Sequence, residues 1–255
     1  MTESTLHLHV LTGASRGMGR ALAHQLLRPG HALLCLSRGV DESLATRAQA
    51  VGVPLEQWSV DLVDPAPVAD RLRAWLATQP ASRLASATLI NNAGVIPPIH
   101  ALADAQAADI ARALRVGLEA PMALTAAFLD ATRDWPGARR VLNVSSGLGR
   151  RPMASQSPYC AAKAGLDHFT RCVALEEAAR PNGARVCSLA PGVIDTDMQV
   201  QLRAANDADF PDRVGFEQLH RGGQLSTPEA AAARVLAWLA RADFGESPVA
   251  DVRQG

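Results

Sequence analysis

Short β-like runs alternate with longer helical patterns along almost the whole chain, and this alternation limits the possible folds more than any other feature. Apolar and β-branched residues gather over 6–11, 31–37, 54–60, 87–91, 141–145, 185–189 and 249–252. Between these runs a 3.6-residue periodicity predicts helices over 17–28, 42–50, 66–77, 157–179 and 228–240, and one long helix or two abutting ones over 105–132. A strand, a helix and a further strand imply parallel neighbours, because a parallel pair needs a crossover between its members. The expectation is one doubly wound α/β domain over residues 1–255, with a mostly parallel seven-stranded sheet and helices on both faces. Ligands in such a domain sit at the carboxyl ends of the strands.

One stretch resists the pattern. Residues 194–226 are long, polar in places and carry Phe210, Pro211, Phe216, Gly222 and Gly223. An excursion of that length inside a compact domain is a binding lid or a disordered segment. Its place after the sixth strand sets it over the ligand end, so we read it as a lid.

Acidic and basic side chains balance at 25 each, which removes the global field that would favour nucleic acid or an anionic membrane surface. The polar start, residues 1–5, lacks the basic and apolar stretches of a signal peptide, and no apolar run approaches the ~20 residues that span a bilayer. A soluble, cytoplasmic protein is expected. Cysteines at 35, 160, 172 and 187 form no Cys-x-x-Cys pair and no metal-ligand spacing, so they read as small buried apolar groups. His7 and His9 share one strand face without further ligands nearby, which favours a partly exposed face over a metal site.

Directly after the first strand comes Thr12-Gly13-Ala14-Ser15-Arg16-Gly17-Met18-Gly19, opening a helix. Glycines there permit a tight turn and close backbone approach to a pyrophosphate, while the helix N-terminus offers amide donors, as in a Rossmann-type dinucleotide site. At the end of the second strand, where an NAD site places a carboxylate against the ribose 2′-hydroxyl, the chain has Leu36-Ser37-Arg38. Arg38 together with Arg16 can clamp a 2′-phosphate instead, which selects NADP.

Tyr159 and Lys163 stand four apart early in a predicted helix and so share a face. Tyr159 is the only tyrosine, and Lys163 the only lysine among 25 basic residues. Arginine cannot replace a compact, movable ammonium, so a sole lysine marks a chemical requirement. Carbonyl reduction has that requirement: an alkoxide develops as hydride reaches carbon, and it must receive a proton. A phenol of pKa about 10 is a poor donor-acceptor near neutrality unless a cation such as Lys163 lowers that value. Ser146, at the end of the fifth strand, is the third candidate, donating a hydrogen bond to the substrate oxygen.

The ordered motifs resemble the short-chain dehydrogenase/reductase family over nearly the whole chain: the glycine loop at 12–19, Asp61-Leu62, Asn91-Asn92-Ala93-Gly94, Ser146, Tyr159 with Lys163, and Pro191-Gly192-Val193-Ile194-Asp195-Thr196. The resemblance implies that Gly13, Ser15, Arg16, Gly17, Met18 and Gly19 cradle the pyrophosphate. It further implies that Asp61 and Leu62 flank the adenine, that Asn92, Ala93 and Gly94 line the cofactor, and that Lys163 also holds the nicotinamide ribose, with Tyr159 among the cofactor contacts. Ile194 and Thr196 would approach the carboxamide, and Pro191 and Gly192 also belong to the cofactor site. Ser146 is preferred over Ser145 because the family's serine lies thirteen residues before its tyrosine. Ala120-Pro121-Met122 and Asp195-Thr196-Asp197-Met198 look most like the branch of sepiapterin and bacterial benzil reductases. That likeness implies NADPH-dependent reduction of a ketone or dicarbonyl, a homodimer, and a substrate site with Ser146, Tyr159, Met198 and Asp251. Asp251 would grip the donor edge of a pterin-like ligand, with Leu202 and Phe216 over its apolar part.

One position departs from the family. Its long fourth-crossover helix usually carries an Asn that marks a local distortion, whereas Val116-Gly117-Leu118 has glycine. Glycine also tolerates distorted backbone. Two other readings stay open: a catalytically weak NADP-binding regulator, which Gly117 favours, and an NAD-linked alcohol dehydrogenase, which Ser37-Arg38 opposes.

Overall fold

The computed structural model describes residues 6–254, so the polar start of the chain lies outside it. Seven strands form one sheet: β1 (Leu6–Thr12), β2 (His31–Ser37), β3 (Leu55–Ser59), β4 (Leu84–Asn91), β5 (Ala138–Val144), β6 (Arg185–Ala190) and β7 (Val249–Asp251). Their order is β3-β2-β1-β4-β5-β6-β7. Every adjacent pair is parallel, so the sheet is wholly parallel rather than mostly so. The order reverses between β1 and β4, and that switch point opens a crevice at the carboxyl ends.

Strand side chains alternate between two cores. Leu11, Ile90, Leu142 and Leu189 meet Leu22 and Leu26 of α1 (Gly17–Leu26) and Val235 of α9 (Pro228–Leu239). Their neighbours Val10, Leu89 and Val141 point the other way, against Leu72 and Leu76 of α3 (Pro65–Ala77) and Leu124 and Phe128 of α5 (Ala120–Ala131). Each such side chain contributes about 1.5–3 kcal/mol on burial, and two faces of them explain why the strands read as near-continuous apolar runs.

α2 (Glu42–Val51), α4 (Ala107–Leu114) and α6 (Ser157–Ala178) complete the larger helices. A π-helical turn, Arg115–Glu119, joins α4 to α5 without a break and buries Val116 and Gly117. Beyond β6, the segment expected as a lid holds two helices, α7 (Asp197–Arg203) and α8 (Arg213–Arg221). Its ends are tied by the parallel bridge of Ile194 with Ser226. Cys35 and Cys187 are buried as read, but Cys172 is exposed on α6. His9 is buried rather than on a partly exposed face. Among the described residues, no helix is long and apolar enough to cross a membrane.

Candidate active site

The crevice is a cleft of about 960 Å3 that runs from Arg38 and Asp61 at one end, past the glycine loop and Ser146, to Met198 and Phe216 at the other. Gly13 and Gly19 belong to one close contact. Gly13 adopts φ +72°, and a Cβ on Gly19 would stand 2.0 Å from the Gly13 carbonyl, which no side chain can survive. Asn92 holds the loop from the neighbouring strand end: its Nδ2 donates to the carbonyls of Thr12 and Gly13 at 3.0 and 3.2 Å. Thr12 Oγ1 in turn accepts from the amides of Asn92 and Ala93, each at 3.0 Å. Arg16 stands at the N-cap of α1 without a side-chain cap, and the first turn holds no acid. Its amide donors therefore face the cleft free for an anion, and a dinucleotide pyrophosphate fits them.

Ser15, Gly17, Met18, Leu62, Gly94, Pro191, Gly192, Ile194 and Thr196 also line the cleft. Arg38 lines it with no ion pair among the described residues. Arg16, by contrast, reaches across the mouth to Asp197 of α7, Nη1 to Oδ2 at 3.1 Å. Exposed as both partners are, this pair is a weak tether.

Tyr159 and Lys163 converge as the helical spacing requires, with Lys163 Nζ 5.7 Å from the phenol ring centroid. Both are buried, at 8% and 4% exposure. Lys163 Nζ donates to the Val144 carbonyl at 2.8 Å, which fixes the ammonium beneath the end of β5. Burial lowers Lys163 to about 8, against the pull of the Asp167 carboxylate. Burial likewise pushes Tyr159 up to about 12, with the Ser146 hydroxyl bonding to it in opposition. The expected lowering by Lys163 is thus absent here: loss of water outweighs a cation already engaged by a carbonyl. A phenol so placed stays protonated at neutral pH.

The serine pair divides its tasks. Ser145 Oγ donates to Asp167 Oδ1 at 2.6 Å and is committed to the scaffold. Ser146 caps the short turn Gly147–Gly149, accepting from the Leu148 amide at 3.1 Å, and its hydroxyl bonds to the Tyr159 phenol. Asp167, which sequence reading missed, is 2% exposed and also accepts from Ser188 Oγ at 2.7 Å and Arg150 Nε at 3.2 Å. It therefore binds β5, β6 and the serine loop to α6. Its signal was its spacing, one turn beyond Lys163 on the same face.

Gly117 lies inside the π turn, so the distortion exists without the family's Asn. The glycine has a second reason: a Cβ there would approach the Ala162 Cβ to 3.1 Å. Ala162 stands between Tyr159 and Lys163, so a side chain at 117 would press on that turn of α6.

Met198 lines the far end of the cleft, in an apolar cluster built on Met153, Leu202 and Phe210 with Ile96 and Phe216 packed around it. Asp251 does not line the cleft. It is 4% exposed, and both its oxygens are taken by Arg253: Oδ1 by Nε at 2.8 Å and Oδ2 by Nη2 at 2.6 Å. Arg253 is the residue that faces the cleft. The expectation of a ligand-gripping carboxylate is thereby corrected, because an arginine two positions on already satisfies it.

Fold and cleft together define a dinucleotide-binding oxidoreductase of Rossmann type. The family model of the short chain dehydrogenases matches residues 8–207, and the chain belongs to that family. It is 32% identical to a benzil reductase ((S)-benzoin forming) of Bacillus cereus over 94% of this chain and 96% of the relative. It is 34% identical to the sepiapterin reductase of Rattus norvegicus over 92% of each. A solved structure from Agrobacterium tumefaciens with bound NADP shares the fold at TM-score 0.78, with 25% identity and 99% and 97% of the two chains covered.

Proposed function

We propose that the chain is an NADPH-dependent reductase of ketones or dicarbonyls of the benzil or sepiapterin kind. The observation that carries the reading is the buried Tyr159–Lys163 pair with the Ser146 hydroxyl bonded to the phenol, at the junction of a phosphate-binding loop and an apolar pocket. When bound, the nicotinamide cofactor supplies hydride to the carbonyl carbon. Ser146 donates a hydrogen bond to the carbonyl oxygen, and Tyr159 gives that oxygen its proton as charge builds there. Lys163, held by Val144, keeps a positive charge near the phenolate left behind. Arg38, which makes no ion pair among the described residues, favours a 2′-phosphate and hence NADPH over NADH.

The segment 194–226 serves as the substrate lid in this reading. A homodimer in the cytoplasm is its working form, and exposed Met122 on α5 and Leu175 on α6 support the pairing. The test is NADPH consumption against benzil, sepiapterin and simple ketones, with cofactor dissociation constants measured alongside. Dicarbonyl turnover, and NADPH bound at least ~10-fold more tightly than NADH, are expected from charge-assisted contacts of about 1.5–3 kcal/mol. Equal affinities, or no carbonyl reduced across the panel, would defeat it.

A further inference from the structure

The cleft wall carries six cationic side chains, Arg16, Arg38, Arg112, Arg151, Lys163 and Arg253, against the carboxylates of Asp61, Asp195 and Asp197. Arg16 occupies Asp197, and Arg203 lies 3.7 Å from Asp195. The proposed reaction uses Lys163 and Arg38. It gives no task to Arg151 or Arg253.

These two enter the cleft from adjoining pieces of backbone. Arg151 follows Arg150, whose Nη2 donates to the Ala250 carbonyl at 3.1 Å, stitching the loop of Ser146 to β7. Just beyond β7, the Val252 amide donates to the Ala190 carbonyl at 3.0 Å, which sets Arg253 beside the Pro191–Gly192 turn. Arg151 is exposed and has no ion pair among the described residues. Arg253 is oriented from behind: the Asp251 side chain is 5% exposed, the Arg253 side chain 63%. Asp251 takes the Nε and one N–H of Nη2, so the Nη1 amine and the far N–H of Nη2 form an open edge toward the cleft. That edge has the fork geometry of a second carboxylate. At a distance Asp251 and Arg253 cancel, and Arg151 supplies the uncompensated charge.

We propose that the substrate is an apolar carbonyl compound bearing an anionic group, a carboxylate, which Arg253 and Arg151 grip while its apolar body lies against Met153, Leu202 and Phe216. The inference rests on the reductase reading above and names its substrate class. Asp251 is a positioning residue within it: it aims Arg253 and touches no ligand itself.

The experiment uses a matched pair, 4-carboxybenzil and its methyl ester, which share the reacting diketone and differ in charge. In the wild type, kcat/KM is expected to favour the acid at least ~10-fold, with the preference shrinking as salt screens the rim. Arg151→Gln and Arg253→Gln are each expected to reduce the acid-to-ester ratio at least ~3-fold, and together to abolish it. Asp251→Asn separates grip from mere field: it adds positive charge, yet by freeing Arg253 it is expected to lower the ratio. A wild-type ratio of one or less, a ratio that survives the double substitution, or a ratio that rises in Asp251→Asn overturns the inference and leaves the reductase standing. If neither compound is reduced, the reductase reading falls and takes the inference with it.

Discussion

The two ends of the sheet bury ionisable side chains in opposite ways. At the amino end, Arg28 Nε donates to His31 Nε2 at 2.8 Å, and His31 Nδ1 lies 2.9 Å from His9 Nε2. A guanidinium is always a donor, so the proton order is set along the row: His31 carries hydrogen on Nδ1 and gives it to His9, and both rings are neutral. Burial then holds His9 at about 3 and His31 at about 4. At the carboxyl end, Lys163 and Asp167 are anchored by backbone and serines, but Tyr159 opens on a cleft. One end keeps its hydrogen-bond row inside the protein and ends it on His9 Nδ1, buried without a partner among the described residues; the other leaves the row to be completed by a ligand. Changes at the first should therefore move stability, and changes at the cleft should move chemistry.

The sharpest test of that division is Tyr159→Phe. Loss of the proton donor is expected to lower turnover about 10²–10⁴-fold, with the melting temperature and NADPH dissociation constant nearly unchanged. A fall in stability of similar size would erase the contrast between the ends. Next comes Asp167→Ala, which crosses the division: it strips a buried partner from Arg150, Ser145 and Ser188 and is expected to cost about 3 kcal/mol in a denaturant titration. Activity should fall with it, since the serine loop loses its anchor.

The amino end is read through pH. Both histidines have folded values below the unfolded 6.5, so above that pH neither state takes up a proton there. As pH falls from 6.5 toward 4, the unfolded chain binds protons that the fold refuses, and stability drops by up to about 1.4 kcal/mol per pH unit for each site. His9→Leu should flatten that slope while kcat at neutral pH holds. An unchanged slope would show that the row does not govern acid stability. The smallest effect is expected at Gly117→Ala, where the new methyl group must displace Ala162 by a few tenths of an ångström. Overpacking there should cost about 1 kcal/mol and lower kcat more than it raises KM.

The strands and the helix of Tyr159 and Lys163 were legible in the sequence because their signals are local: apolar runs of β1 and β6, and the four-residue spacing of that pair. The first halves of β4 and β5 were missed, since Ser86, Arg139 and Arg140 read as loop. Tertiary partners reverse that reading. Ser86 hydrogen-bonds His7 at 2.8 Å, buried Arg139 meets Glu177 and the Asn182 carbonyl, and Arg140 donates to the Leu239 carbonyl. α7 and α8 escaped for another reason: they are short, and the side chains that turn inward, Met198, Gln199 and Leu202 on the first and Phe216 and Leu219 on the second, are too few for a period to accumulate. Arg253 in place of Asp251 was illegible because a two-residue spacing does not reveal which partner is turned away from the cleft.

The lone lysine has one further consequence. An endoprotease that cleaves only after lysine has a single bond to attack in this chain, between residues 163 and 164, and the structure hides it in the second turn of α6 at 4% exposure. Scission into two fragments therefore times the opening of α6 itself, with no label added. Any compound that seats against that helix will slow the cut in proportion to its occupancy, so a gel becomes a ligand screen that needs neither turnover nor a known substrate.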